Sequence, residues 1–267
     1  MDELISKLQR ENNSHKGENG KVGVISGSQD FSGAPALNAN GALRTGADLV
    51  KIFTSAEVEN VVRSYSENFI VDSYDSGYFN QESVKKAEKI SEWADAVAVG
   101  SGLSKPDAQA LEKFAENSKT PLVVDADAVG ILCEADFTKA VFTPHEAEAK
   151  VIKDKFGSIE NFVQQKNAVV VVTGEKDRVY MEDNIVENDT GHPTMTAGGT
   201  GDVLAGIIAS LIAQGLEIDE AVTLGTWTNG KAGENSAEKY GNSALATDMI
   251  KEIHYLLMWL IQTGPHL

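Results

Sequence analysis

The chain has 267 residues, of which 42% are hydrophobic, and it carries 40 acidic against 23 basic side chains, for a formal net charge of −17. This length and apolar content allow one or two domains with a sizeable core. The acidic balance argues against a nucleic-acid-binding protein, whose surface is basic, and against attraction to anionic membranes. A single cysteine, Cys133, excludes an internal disulfide framework and a multi-cysteine zinc site.

Neither end of the chain resembles a targeting or membrane segment. Residues 1–20 are polar and lack the apolar run of a signal peptide. The late apolar run at residues 255–261 is far shorter than the ~20 residues of a membrane-spanning helix. We therefore expect a cytoplasmic protein. We attribute the acidic composition first to solubility. Adaptation to a saline cytoplasm is the other explanation, and composition alone leaves it open.

Short β-branched runs alternate along the chain with helix-like stretches. The predicted strands are residues 22–26, 49–54, 96–99, 122–125, 140–143 and 168–173. The helices predicted between them are residues 34–45, 81–93, 107–117 and 145–153. A hairpin of residues 179–181 and 185–187 precedes three helices at 200–214, 218–236 and 243–261. The alternation predicts an α/β fold, with a mostly parallel central sheet flanked by helices on both faces, in one domain over residues 1–267.

The segment most informative about chemistry is residues 191–206, GHPTMTAGGTGDVLAG. Gly198, Gly199 and Gly201 crowd together just before an apolar helical segment. The apolar residues spaced as on one helix face are Val203, Leu204, Ile207, Ile208, Leu211 and Ile212. A glycine turn entering a helix offers free N–H groups and the positive end of the helix dipole, which suits phosphate. The chain has neither a P-loop nor a strand-linked G-x-G-x-x-G, so any nucleotide is bound differently.

Asp202 directly follows these glycines. A carboxylate at this position would repel bound phosphate unless it took part in catalysis or metal binding. The alternative is that the glycines form a flexible loop and Asp202 helps to cap a helix. The context Thr-Ala-Gly-Gly-Thr-Gly-Asp is more specific. It resembles the anion hole and catalytic base of the ribokinase-like superfamily, in which the Asp accepts a proton from the hydroxyl being phosphorylated.

Other segments narrow the resemblance within that superfamily. Residues 15–54 contain a His-Lys-Gly start, a predicted strand, Gly-Ser, a Ser-Gly-Ala turn and an Ala-Leu-Arg-x-Gly-Ala helix end. The motifs that follow in order are VGSGL at 99–103, VDADA at 124–128 and TPHEAE at 143–148. Together they make the chain, from about residue 15 to about residue 254, similar to the ADP- or ATP-dependent NAD(P)H-hydrate dehydratases.

This resemblance implies repair of hydrated NADH and NADPH (the S epimers), in which water has added across the C5–C6 bond of the nicotinamide ring. A nucleotide phosphorylates the ring hydroxyl, phosphate departs, and the dihydronicotinamide is restored. Bacterial and archaeal members use ADP and release AMP, whereas eukaryotic members use ATP. The resemblance also implies Mg²⁺, a homo-oligomer, and a separate epimerase that interconverts the two epimers.

The resemblance further implies catalytic roles for the glycine segment. Asp202 matches the base, and the backbone N–H groups of Gly199, Thr200 and Gly201 match those that hold the transferring phosphoryl group. An ordinary Asp, with a pKa near ~3.9, is a weak base toward an alcohol. Positioning and charge stabilisation supply most of phosphoryl-transfer catalysis, so a weak base is sufficient.

Residues that match the family's contacts to the hydrated dinucleotide are Ala34, Gly102 and His145, together with Asp202. The first three also have ordinary structural explanations: Ala34 as a packing residue, Gly102 as a turn glycine and His145 as a residue at a helix start. His145 and Glu148 have the i, i+3 spacing that shares a helix face. Glu148 is expected to help hold Mg²⁺ through water, because Mg²⁺ prefers carboxylates and phosphate oxygens and retains several waters.

Two positions depart from the family pattern. Members carry Leu-Lys-Gly at a strand end where this chain has Val172-Thr173-Gly174, and Lys176 is the nearest residue able to supply the missing charge. Ala147 replaces a glycine, which is unfavourable if that position needs a positive φ and favourable if it is helical. The residues expected at the nucleotide are Thr173, Gly174, Glu175, Lys176, Asp177 and Gly201.

Two other functions remain open at this point. A ribokinase-like kinase of a small alcohol, such as a sugar or vitamin precursor, would use Asp202 and its glycines in the same way. A non-catalytic nucleotide-binding paralogue is suggested by Thr173 and Ala147. The motifs of the N-terminal half favour the dehydratase over the kinase, and the intact Asp202 argues against the inactive paralogue.

Three further side chains carry expectations. Asp125 and Asp127 follow a predicted strand, so at least one is expected to point into the cleft, with loop capping an equal alternative for Asp127. Cys133 is expected to pack beside Leu132 as a small hydrophobic residue.

Overall fold

The computed structural model describes residues 7–263, with side chains as far as Met258. Its strands form one nine-stranded sheet in the order β3-β2-β1-β4-β5-β6-β7-β8-β9. They are β1 (Lys21–Ile25), β2 (Leu49–Ser55), β3 (Ile70–Tyr74), β4 (Ala96–Val99), β5 (Leu122–Val124), β6 (Ala140–Phe142), β7 (Ala168–Val172), β8 (Asp177–Tyr180) and β9 (Ile185–Asn188). Strands β1 to β7 pair in parallel, and β8 and β9 each pair antiparallel to the preceding strand.

Ten α-helices lie in the described part of the chain. They are α1 (Gly33–Thr45), α2 (Glu59–Ser64), α3 (Gln81–Trp93), α4 (Ala108–Asn117), α5 (Val129–Leu132), α6 (Glu146–Phe156), α7 (Ile159–Lys166), α8 (Thr200–Ala213), α9 (Ile218–Tyr240) and α10 (Ala246–Thr263). Between residues 7 and 263, no helix combines the length and the apolar character needed to cross a bilayer.

The sheet is buried on both faces because alternate residues of its strands enter different cores. In β4, Ala96 and Ala98 pack into the core that also contains residues of α1, α8, α9 and α10. Val97 and Val99 pack into the second core, against α3, α4, α6 and α7. This period of two is the geometry of a pleated strand. The predicted α/β fold, a mostly parallel sheet with helices on both faces, is confirmed.

Several elements were missed in the sequence or differ from prediction. Strand β3 reads IVDSY and lies at the sheet edge, where its polar, partly exposed residues hide the apolar run that marked the other strands. The short helices α2 and α7 were also missed. Helix α8 was expected to bury one face, but every residue from 203 to 212 is buried, because the sheet and three helices surround it.

Helices α1 and α8 cross at unusually close range. A Cβ added at Gly41 would lie 2.8 Å from the Val203 carbonyl oxygen, and one added at Gly206 would collide with the Asn38 carbonyl oxygen. Only glycine allows the two backbones to approach this closely. The crossing therefore holds the first half of α8 against the middle of α1.

We expect Gly206→Ala to lower the free energy of unfolding by about 3 kcal/mol, because the added methyl group forces two packed helices apart. Gly130→Ala is the matched control. Gly130 also lies in a helix, but its added Cβ would meet only Val151 Cγ1 at 3.7 Å, so a small gain of about 0.5 kcal/mol is expected. Urea unfolding followed by circular dichroism measures both, and a Gly206→Ala variant as stable as the parent would contradict the close crossing.

Candidate active site

The sheet changes winding direction between β1 and β4. These strands are neighbours, yet the chain leaves β1 toward β2 and β3 on one side and reaches β5 to β9 on the other. In open α/β sheets, ligands bind outside the carboxyl ends of the strands at such a point. The loops after β1 and β4 meet there, since the Gly27 amide donates to the Ser101 carbonyl oxygen at 3.0 Å.

Ala34 and Gly102 lie together at this crevice. Gly102 has φ +66°, and a Cβ on it would lie 2.9 Å from the Ala34 Cβ. Gly33 opens α1, and the preceding Ser32 makes no side-chain cap, so N–H groups of the first turn of α1 are without a capping side chain. A Cβ on Gly33 would meet nothing within 4 Å. An anion can therefore approach this helix end.

The glycine segment forms the beginning of α8. Gly199 precedes the helix with φ +97°, and no side chain caps it. A Cβ on Gly199 would collide with the Leu37 side chain, so the uncapped beginning of α8 lies against the second turn of α1. Added Cβ atoms at Gly198 and Gly201 would meet nothing within 4 Å, so packing does not demand glycine there. The open space suits a ligand that closely approaches the backbone.

Asp202 lies in the first turn of α8 and is largely buried beside Ser101 and Asp125. Burial first, and then the negative charge of Asp125, raise its pKa to about 7, although the neighbouring Ser101 hydroxyl opposes the shift. The expectation of an ordinary, weakly basic Asp is thus wrong for this environment. At neutral pH Asp202 is a substantially stronger proton acceptor than a solvated carboxylate.

Asp125 is the fixed negative neighbour. It follows β5, is only 6% exposed, and accepts hydrogen bonds from Ser101 Oγ and Thr143 Oγ1, both at 2.8 Å. Burial raises its pKa, and the two hydroxyl donors oppose that rise. Of the two Asp residues considered in the sequence, Asp125 raises the pKa of Asp202 more, and Asp127 raises it less.

Asp127 instead braces a loop. Its Oδ2 accepts the Ser104 amide hydrogen at 2.7 Å. Ser104 has φ +64° and Ala126 has φ +47°, both in the left-handed region that non-glycine residues rarely adopt. Such strained residues persist where surrounding contacts hold them, commonly beside ligand sites.

His145 and Glu148 hold each other at the start of α6. His145 Nδ1 accepts the Ala147 amide hydrogen at 3.0 Å, and Glu148 Oε2 accepts the His145 amide hydrogen at 3.0 Å. Glu148 Oε1 also lies 3.4 Å from His145 Nε2. Burial raises the pKa of Glu148, against the opposing hydrogen bond from His145. Ala147 is helical with an ordinary φ, so its replacement of glycine introduces no strain.

The carboxylates suit a magnesium ion only as part of a nucleotide complex. Across residues 7–263 no three His, Cys, Asp or Glu side chains converge as a metal-binding group. Mg²⁺ is commonly held by one or two carboxylates together with substrate phosphates and waters. Glu148, already bonded through Oε2, fits an outer contact through water rather than a preformed protein cage.

The predicted nucleotide segment forms the turn between β7 and β8. Thr173 continues beyond β7 and bonds through its amide to the Pro144 carbonyl oxygen at 3.0 Å, which places it beside His145. Asp177 braces the turn by accepting the Gly174 amide hydrogen at 3.2 Å. Glu175 and Lys176 are exposed, and Lys176 forms an ion pair with Asp189 at 2.7 Å. Residues 173–176 are therefore accessible to a ligand, whereas Asp177 holds the turn in place.

Sequence reasoning missed Ser101 and Thr143, which orient Asp125. A signal was present, because each follows a buried strand directly or after one glycine, as Asp125 itself does. Cys133 is fully buried beside Leu132 in the second core, as expected.

The family model described as NAD(P)H-hydrate dehydratase matches residues 22–255. The chain is 38% identical to the ADP-dependent (S)-NAD(P)H-hydrate dehydratase of Haloterrigena turkmenica, over 88% of this chain and 92% of that protein. It is 35% identical to the bifunctional NAD(P)H-hydrate repair enzyme of Methanothermobacter thermautotrophicus, over 94% of this chain and 52% of that protein.

Solved structures show the same fold at lower identity. The ADP/ATP-dependent NAD(P)H-hydrate dehydratase of Bacillus subtilis, co-crystallised with ATP and Mg²⁺, superimposes with a TM-score of 0.79 at 22% identity, covering 97% of this chain and 96% of that one. A ribokinase-like superfamily protein of Enterococcus faecalis reaches a TM-score of 0.85, also at 22% identity, over 98% and 95% of the two chains. The predicted resemblance is confirmed: the chain belongs to the NAD(P)H-hydrate dehydratase family and has its ribokinase-like fold.

Proposed function

We propose that this protein is an ADP-dependent NAD(P)H-hydrate dehydratase, a lyase that returns the S epimers of hydrated NADH and NADPH to NADH and NADPH. The observation that carries the proposal is the buried Asp202, with its pKa raised to about 7, at an uncapped helix end beside the crevice of the sheet. Family membership supplies the reaction, since relatives at 37–38% identity are named for it. Nothing in the site specifically favours the small-alcohol kinase or the inactive paralogue.

In the first step the ring hydroxyl of the hydrated cofactor attacks the terminal phosphorus of ADP. A new O–P bond forms, the bond from phosphorus to the bridging oxygen breaks, and AMP leaves. Asp202 takes the hydroxyl proton as the O–P bond forms, which its raised pKa favours. The N–H groups of Gly199, Thr200 and Gly201 stabilise charge on the transferring phosphoryl oxygens.

In the second step the ring carbon–oxygen bond breaks and phosphate leaves with the bonding electrons. The ring nitrogen donates electron density to the carbon that loses phosphate. Loss of the C5 proton to solvent then restores the C5–C6 double bond. The net change converts the hydrated cofactor and ADP into the reduced cofactor, AMP, phosphate and a proton.

We propose that the dinucleotide lies along the crevice from Asp202 to the start of α1. Ala34 and Gly102 are small enough to leave room for its backbone, and the uncapped first turn of α1 suits its pyrophosphate. We also assign His145 to the dinucleotide, because its side chain is exposed and is held in place by the contacts to Ala147 and Glu148.

We assign the phosphoryl donor to residues 173–177 together with Gly201. Lys176 can exchange Asp189 for a nucleotide phosphate, since both groups of that ion pair are exposed. When bound, Mg²⁺ neutralises phosphate charge, and Glu148 is the protein group that we assign to its water shell. Asp177 contributes by holding the turn rather than by direct contact.

The remaining proposals concern assembly. One continuous sheet with helices on both faces supports a single domain over residues 1–267. We also propose a cytoplasmic homo-oligomer that depends on an epimerase for the R epimers. The relative from Methanothermobacter is named as bifunctional, and this chain aligns with about half of it.

The reaction is tested by following reduced nicotinamide at ~340 nm, where hydrated NADH does not absorb. Protein with hydrated NADH, ADP and Mg²⁺ is expected to restore the absorbance, and a parallel assay with ATP measures donor preference. Omission of the nucleotide is the control. An unchanged absorbance with both nucleotides, alongside phosphorylation of a small alcohol, would instead identify a kinase.

Asp202→Asn is expected to lower kcat by about 10³-fold while ADP binding by calorimetry stays within a few-fold, because the amide keeps the shape but accepts no proton. The variant should unfold at pH 8 no more readily than the parent. Burial raises the pKa of Asp202 in the folded protein to about 7, above its value in the unfolded chain, so the charged Asp202 lowers the free energy of unfolding at pH 8. The substitution removes that cost. Near-normal repair by this variant would contradict the assignment of the base.

The pH dependence of kcat/KM tests the electrostatic setting of Asp202. Activity is expected to fall as the pH drops below about 7, because the base becomes protonated. Asp125→Asn removes the negative neighbour that raises the pKa of Asp202, so the acidic limb should move to lower pH. An acidic limb at the same pH in both proteins would show that Asp125 does not act on Asp202.

A further inference from the structure

Phe31 is an exposed aromatic side chain at the mouth of the crevice. It is 52% exposed, although phenylalanine is normally buried, and it lies in the loop between β1 and α1. A Cβ on Gly102 would lie 3.1 Å from the Phe31 Cβ and 2.9 Å from the Ala34 Cβ. The ring therefore begins beside the two small residues assigned to the dinucleotide.

Phe31 is exposed on a rigid loop. The Phe31 and Ser28 backbones exchange two hydrogen bonds of 3.1 Å, which close a tight turn. The neighbouring Asp30 accepts hydrogen bonds from Ser104 Oγ at 2.8 Å and from the Tyr78 hydroxyl at 3.0 Å. These bonds tie the loops after β1, β3 and β4 together, so a ligand that stacks on the ring orders little additional chain.

The position of Phe31 relative to α1 indicates what it contacts. Leu37 packs against Gly199, next to Asp202, and marks the reacting end of the crevice. Ala34 lies one helical turn before it, at the uncapped helix end assigned to the pyrophosphate. Phe31 comes three residues earlier again, in the loop that precedes α1, and its Cβ lies beside Gly102. A dinucleotide with its nicotinamide ring at Asp202 and its pyrophosphate at Ala34 thus extends its adenosine half toward Phe31.

The phosphoryl donor lies too far away to be the molecule that Phe31 contacts. Phe31 follows β1, whereas Thr173 and Gly174 follow β7, four strand positions along the sheet. At about 4.8 Å per strand this separates the two loops by roughly 19 Å. The adenine of ADP therefore has its own location near the β7–β8 turn.

From this juxtaposition we infer that Phe31 is the stacking platform for the adenine ring of the hydrated dinucleotide, a specificity residue that recognises the non-reacting half of the substrate. The inference rests on the proposed function and names a subsite within the same crevice. Hydrated NADH and hydrated NADPH carry the same adenine and differ only in a phosphate on the adenosine ribose, so a subsite that stacks on the base serves both.

The test compares two substrates that differ only in the adenosine half: hydrated NADH and hydrated reduced nicotinamide mononucleotide. Phe31→Ala is expected to lower kcat/KM about tenfold for hydrated NADH and by less than twofold for the mononucleotide, because only the former has a base to stack. KM for ADP should not change. Phe31→Tyr should restore the activity, since it retains the aromatic face.

Tyr65→Ala is the matched control, because Tyr65 is 50% exposed but follows α2, away from the crevice. It should leave both substrates unaffected. Equal losses for both substrates with Phe31→Ala, or a raised KM for ADP, would overturn the inference while the proposed function stands. An unmodified protein that fails to act on hydrated NADH would instead overturn the proposed function.

Discussion

The close crossing of α1 and α8 is the constraint on which the site depends. Gly41 and Gly206 allow the two helix backbones to touch, and Leu37 then meets Gly199 at the beginning of α8. The uncapped beginning of α8 is thereby held against the second turn of α1, whose own beginning is also uncapped. Each helix beginning presents free N–H groups and the positive end of a helix dipole. These two helix beginnings are where we propose that the phosphate groups of the ligands bind.

That arrangement reconciles the strongly acidic chain with polyanionic ligands. A net charge of −17 opposes a nucleotide and a dinucleotide at long range, but salt screens such fields within about 10 Å. At contact distance the attraction that we propose comes from local groups: helix N–H groups, Lys176 and Mg²⁺ bound to the nucleotide. The buried carboxylates serve a different purpose, because Asp125 makes Asp202 more basic instead of attracting the substrate.

The site also shows how a fold shared with kinases is adapted by its surroundings. Asp202 and its glycines suit any phosphoryl transfer to a hydroxyl, whereas the loops after β1 and β4 line the part of the crevice where we propose that the rest of the substrate binds. Ser104 and Ala126, held at positive φ, lie in loops that contact Asp30 and Asp127. Structural neighbours at 22% identity share the fold.

The sequence by itself determined the architecture, the family and the identity of the candidate base. Parallel strands are buried on both faces and so read as unbroken β-branched runs, and the glycine segment before α8 has a local motif. The edge strand β3 was missed because its polar, partly exposed residues lack that signal.

Only the tertiary structure decided the chemistry of the base and the partners of the site. The pKa of Asp202 near 7 comes from burial and from Asp125, which is 77 positions away in the chain, so no local pattern reveals it. The same holds for Ser101 and Thr143, which become important only because β4, β5 and β6 end side by side. Local sequence specifies helices, strands and turns, but desolvation and charge coupling depend on which chain segments fold against one another.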